Sequence, residues 1–249
     1  MSNAKEKLVL IHGWGLNSAI WQPLVNQLKP KLDCICIDMP GYGSNEDIDS
    51  PTDINGLAEA LLKEAPQKAH WCAWSLGGMA AIVAAKRQPD RIKSLSLLCT
   101  TARFTQTLDW EIGMDINIFK KFANELKSDY QSGIQKFLLL QAGAGKQTRS
   151  LAMEAAELLK KYPAPSHKTL SNGLNILEHT DLREQLSSIP LPCQVISGRR
   201  DRIVNPEAGK LLSQSIPASQ HHMLNSGHAP LLSCPNELAN LIIEQSINA

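Results

Sequence analysis

Short apolar runs recur along the chain at residues 8–11, 34–37, 71–73, 95–99, 194–197 and 222–224. Each is bounded by turn residues and lies close to a stretch with helical spacing, the rhythm of a parallel sheet joined by crossover helices. Strands of such a sheet are expected to be buried on both faces. Helices are predicted at 21–28, 54–64, 77–88, 206–215 and 236–246, several opened by Pro or Asn where a helix start tolerates them. From Arg103 to Asp181 the alternation stops, and only helical patterns remain, at 115–127, 130–141, 148–161 and 166–177. Pro163 and Pro165 end the third of these, because proline removes a donor and clashes with the preceding turn. The expectation is an α/β core made of residues 1–102 and 182–249, with an all-helical cap, 103–181, inserted before the last strands.

Composition narrows the classes of function. With 25 Lys+Arg against 24 Asp+Glu and no basic run, nothing argues for nucleic acid. Residues 1–7 lack an apolar targeting core, and no run approaches the length of a membrane span, so a cytoplasmic protein is expected. The six cysteines, at 34, 36, 72, 99, 193 and 234, lie mostly in apolar runs, where free thiols act as small hydrophobes. Cys34 and Cys36 lack the spacing and the second ligand pair of a zinc site, so no metal and no cofactor is expected.

The string Trp71-Cys-Ala-Trp-Ser-Leu-Gly-Gly78 places Ser75 between a strand and a helix, with the small residues Ala73 and Gly77 two positions to either side. That is the context of a nucleophile elbow, although the first small residue is usually Gly. Leu76 N–H, at the start of the helix, is one candidate oxyanion donor. Trp14 N–H, in the glycine-containing segment after the first strand, is the other. A serine needs a base, and the base needs a carboxylate to fix its tautomer. In chain order these should follow as acid and then His. Asp201 sits just beyond the strand at 194–197, and His228 in the loop after 222–224. The other histidines have plainer readings: His12 supports its turn, and His70, His167 and His179 lie in helical or pre-strand segments. His221 and His222 are adjacent, so on a strand they face opposite ways. Asp38 is read as organising the turn that follows it.

These strings resemble a known family. His12-Gly-Trp-Gly-Leu-Asn17, Asp38-Met-Pro-Gly-Tyr-Gly-Ser44, Trp74-Ser-Leu-Gly-Gly78 and Gly227-His-Ala-Pro230 are of α/β-hydrolase type. Phe137-Leu-Leu-Leu-Gln141, and Asn172-Gly-Leu-Asn-Ile-Leu177 with Asp181-Leu-Arg183, are more particular. With them the chain resembles the pimeloyl-[acyl-carrier protein] methyl ester esterases of biotin synthesis. The resemblance implies a serine carboxylesterase that frees methanol from a methyl-capped acyl chain on acyl carrier protein. It also implies Trp14, Trp74 and Phe137 as substrate contacts, and Lys136 and Arg149 as contacts with the carrier. All four phenylalanines, 104, 119, 122 and 137, fall in the insertion, which suits an apolar channel, although a small core for the insertion would use them equally. Residues 120–161 hold eight Lys/Arg against four Asp/Glu, a face that could meet an acidic carrier. The alternatives are a general short-chain carboxylesterase without a carrier, or a ligand-binding receptor on the same fold. The latter would not need an intact Ser75, Asp201 and His228. A monomer is expected.

Overall fold

The computed structural model describes residues 5–142 and 146–248. Residues 1–4, and the side chains of Phe122 and Gln141, lie outside the described set.

Six strands form one parallel sheet: β1 (Glu6–Ile11), β2 (Leu32–Ile37), β3 (Ala69–Trp74), β4 (Ile92–Leu98), β5 (Cys193–Gly198) and β6 (Ser219–Leu224). Their spatial order is β2-β1-β3-β4-β5-β6. The order reverses between β1 and β3, and in an open sheet the crevice beyond that switch point is where ligands bind. Helices α1 (Gln22–Leu28), α2 (Ile54–Glu64) and α3 (Leu76–Arg87) cross between the first four strands. The helix α2 starts where Asp53 accepts the N–H groups of Asn55 and Gly56 at 2.9 Å, satisfying donors the helix cannot.

Between β4 and β5 the described residues form the α-helices α4 (Ile116–Ser128), α5 (Tyr130–Ala142), α6 (Lys146–Leu159) and α7 (His167–His179). The chain closes with α8 (Pro206–Ser215), β6, the single turn α9 (Pro230–Ser233) and α10 (Pro235–Asn248). Among the described residues, no helix is long and apolar enough to cross a membrane.

Three expectations need correction. Burial on both faces holds for β3 and β5 but not for β2 or β6, which lie at the two edges of the sheet. Cys36 on β2 is accordingly exposed and Cys34 half-buried; all six cysteines are free. The first part of the insertion is not helical: isolated bridges join Thr105 to Met114 and Thr107 to Trp110. Its polar threonines and its glycine at 113 favour an irregular loop, with a tight antiparallel turn at Thr107–Trp110 and a parallel bridge at Thr105–Met114, over a helix. Finally, His70 lies within β3 rather than before it, buried, with Nδ1 2.8 Å from Ser94 Oγ.

The two crossings between sheet and insertion are tied to each other. Arg103 and Asp181 form an antiparallel bridge, and Leu182 N–H donates to Ala102 O at 2.9 Å. The Asp181 carboxylate accepts from Arg183 Nε at 2.9 Å and Nη2 at 2.7 Å, and from Arg103 Nη1 at 2.7 Å. These guanidinium bonds, Arg183's above all, hold its carboxyl well below the usual carboxylate range. A group depressed in this way contributes its full stability above its unfolded-state value, about 3.9, and loses it as pH falls below. Asp181→Asn should therefore lower stability at neutral pH by roughly 1 kcal/mol, partial exposure keeping it small. The gap to the parent should narrow as pH drops from 7 toward about 3.5. Denaturant midpoints across that range check this, and a gap that is constant with pH would show that ionisation of Asp181 contributes nothing.

Candidate active site

The fully buried strand β3 ends at Trp74, and the next residue, Ser75, has φ 55° and ψ −120°. A side-chain-bearing residue there is strained by about 1–3 kcal/mol and persists only where its surroundings hold it. Here they do. Ser75 N–H donates to Leu98 O at 3.0 Å, and the Thr100 hydroxyl donates to Ser75 O at 2.7 Å. The helix α3 begins at once and crowds the end of β1: a Cβ on Gly77 would lie 2.5 Å from His12 O, which only glycine avoids. Ala73, in place of the more usual glycine, is fully buried.

His228 Nε2 lies 3.1 Å from Ser75 Oγ, and His228 Nδ1 lies 2.7 Å from Asp201 Oδ2. A carboxylate accepts only, so Nδ1 carries the proton and Nε2 offers its lone pair to the serine hydroxyl. The other oxygen of Asp201 accepts N–H groups from Ile203 at 2.8 Å and Val204 at 3.0 Å, which fixes the carboxylate. The acid and base loops prolong the pairing of β5 with β6: Arg199 N–H donates to Leu224 O, and Arg200 N–H to Ser226 O, both at 2.8 Å. Asp201, His228 and Cys99 converge, with ligand-type atoms within 4.8 Å of one another. Burial pushes the Cys99 thiol well above its usual range, so it is a neutral neighbour. With Asp201 and His228 bonded to each other, the group is not poised to hold a metal.

Leu76 opens α3, whose first N–H groups have no acceptor within the helix. Trp14 lies in the loop after β1, which reaches the same pocket. His12 is buried there. Its Nδ1–H donates to Gly13 O at 2.8 Å, and its Nε2 accepts Met39 N–H at 3.0 Å. Burial lowers its pKa, which keeps the ring neutral in the tautomer that both bonds require. Gly13 C=O and Trp14 N–H belong to one peptide unit, so the ring fixes the plane of that donor. Asp38 organises the next turn as expected from sequence, accepting Ser44 N–H at 2.9 Å and Ser44 Oγ–H at 2.8 Å.

The pocket above Ser75 is walled by Trp14, Trp74, Phe104, Phe119 and Phe137, with Leu16, Leu177 and Ile203. Rings of Trp14 and Phe104 lie 5.1 and 4.9 Å from that of Phe119. Trp74 does more than line it: its indole N–H donates to His228 O at 2.8 Å. Lys136 on α5 and Arg149 on α6 are exposed and lie outside the pocket wall. Sequence reasoning missed Leu16, Ile203 and the bond from Trp74. Apolar residues beside the motif glycine and the motif aspartate were the only signal for the first two.

The alpha/beta hydrolase family model matches residues 8–241. A pimeloyl-[acyl-carrier protein] methyl ester esterase from Methylococcus capsulatus is 36% identical over 239 residues, covering 96% of this chain and 93% of that protein. Another of the same name, from Vibrio campbellii, is 34% identical over 226 residues, 90% and 88% of the two chains. Among solved structures, an esterase from Exiguobacterium antarcticum superposes with a TM-score of 0.85 at 20% identity, over 98% of this chain and 93% of that one.

The hydrogen bond between Ser75 and His228 predicts that the two act as one unit. Ser75→Ala and His228→Ala should each lower kcat on a simple ester by at least about 10⁴-fold, and the double variant should be little worse than either. Losses that multiply in the double variant would mean that the two side chains act separately.

Proposed function

The chain belongs to the alpha/beta hydrolase family and, within it, to the pimeloyl-[acyl-carrier protein] methyl ester esterases, and from that premise we propose how its residues hydrolyse the methyl ester of a pimeloyl chain borne by acyl carrier protein. The observation that carries the reading is the unbroken hydrogen-bonded chain from Asp201 through His228 to Ser75 beneath an aromatic-walled pocket.

In this reading Ser75 Oγ attacks the ester carbonyl as its proton passes to His228 Nε2. The oxyanion that forms is met by the N–H groups of Trp14 and Leu76, donors already in place when charge develops. Asp201 holds the ring and stabilises the imidazolium. His228 then returns the proton to the departing methoxide oxygen, methanol leaves, and an acyl ester on Ser75 remains. Water, deprotonated by His228, attacks that ester; the free carboxylate is released and Ser75 regains its proton.

Residues 103–181 serve as the cap. Their three described phenylalanines on the pocket wall suit an aliphatic chain, and Trp14, Trp74 and Phe137 are its contacts. A carrier-linked chain has a thioester at its near end, so attack on the distal methyl ester requires the carrier to stay outside. Lys136 and Arg149, exposed on neighbouring cap helices, are the proposed contacts with its acidic surface. A reducing cytoplasm suits the six free cysteines.

Changing both Lys136 and Arg149 to Glu should lower kcat/KM on the carrier-bound substrate about tenfold or more, with short free esters within about twofold. The difference should shrink with added salt, because exposed charges are screened beyond about 8–10 Å. Parallel assays of the two substrates over a salt series test this. Equal loss on both would point to a damaged cap, and no loss on either would remove these residues from the carrier site.

A further inference from the structure

The two oxyanion donors are held differently. Leu76 is the first residue of α3 and moves only with that helix. Trp14 lies in a loop and is followed by Gly15, whose φ of 75° falls in the left-handed region, where glycine meets little steric resistance to rotation. On the near side, His12 ties the Gly13–Trp14 peptide to the core. On the far side, the Gly15 carbonyl accepts a 2.8 Å hydrogen bond from the Tyr130 hydroxyl, 115 residues away at the start of α5. The insertion grips the same loop a second time, through Trp14 Nε1–H donating to Leu170 O of α7 at 3.0 Å. Burial pushes the Tyr130 phenol above its usual range, so the hydroxyl stays a donor. Tyr130 is not part of the pocket wall and meets the chemistry through Gly15.

We propose that Tyr130 is a positioning residue: its bond to Gly15 makes the alignment of the Trp14 N–H depend on where the cap helix α5 sits. This rests on the reading of Trp14 N–H as an oxyanion donor. The same helix carries Phe137 on the pocket wall and Lys136 on its exposed face. A carrier that docks on α5 therefore loads the element that orients the oxyanion hole, and the chemical step responds to docking as well as binding does.

Tyr130→Phe removes the hydroxyl and keeps the ring. On a short free methyl ester, kcat should fall roughly five- to tenfold, less than the 100- to 1000-fold typical of losing a donor outright, with KM within about twofold. Affinity for a trifluoromethyl ketone, which forms a tetrahedral adduct with Ser75, should fall by the same factor, while affinity for a carboxylate product should not change. If kcat and ketone affinity both stay within about twofold of the parent, the inference fails. It fails equally if ketone and carboxylate weaken together, since Tyr130 would then only shape the pocket. The structure of the parent enzyme with a phosphonate on Ser75 tests the underlying reading separately. The phosphoryl oxygen should sit on the N–H groups of Trp14 and Leu76, and an oxygen placed elsewhere would overturn the donor assignment itself. Correct placement with an unaffected Tyr130→Phe would overturn Tyr130 alone.

Discussion

The geometry of the candidate site hangs on the backbone of Ser75. A positive φ at a residue with a side chain is unfavourable by itself, so the neighbouring structure has to supply the difference. It does so with bonds from the strand on one side and with close packing on the other. Leu98 and Thr100, at and beyond the end of β4, grip the peptide groups of Ser75, and Gly77 lets α3 press against the loop after β1. The same compression lifts Ser75 Oγ toward His228 and starts α3 directly after it, so that the positions of the Ser75 hydroxyl and the Leu76 N–H share one cause.

The remaining parts are held by backbone bonds of neighbouring loops more than by side-chain pairs. Asp201 and His228 ride on a continuation of the β5–β6 ladder, which sets their separation before the carboxylate and the imidazole meet. Trp74 adds a tie from the nucleophile's own strand to the carbonyl of His228, so a shift of the base loop would have to break a buried bond. The loop carrying the Trp14 N–H is framed by His12 from the core and by the insertion from above.

Much of this was legible in the chain. All six strands and the principal helices follow from apolar periodicity, and the convergence of Ser75, Asp201 and His228 follows from small residues flanking Ser75 and from loops placed just after strands. The errors have physical reasons. Edge strands such as β2 carry apolar residues like central ones, and only their neighbours in space determine which face meets water. The irregular loop opening the insertion is too short and too polar for a period to register. The bonds of His12, Trp74 and Tyr130 reach across one, 154 and 115 residues respectively; the long ones join a side chain to a backbone carbonyl, for which no residue type is a signal.

The topology also fixes when the site can exist. Ser75 and His228 are 153 residues apart, and the whole insertion lies between them. Contacts of such long sequence separation close late, after the loop entropy of the intervening chain has been overcome. On a chain still emerging from the ribosome, β1 to β4 and Ser75 appear before β5, β6 and His228. Until those strands join, Ser75 lacks its His228 partner, and the hydrogen-bonded chain to Asp201 is not yet made.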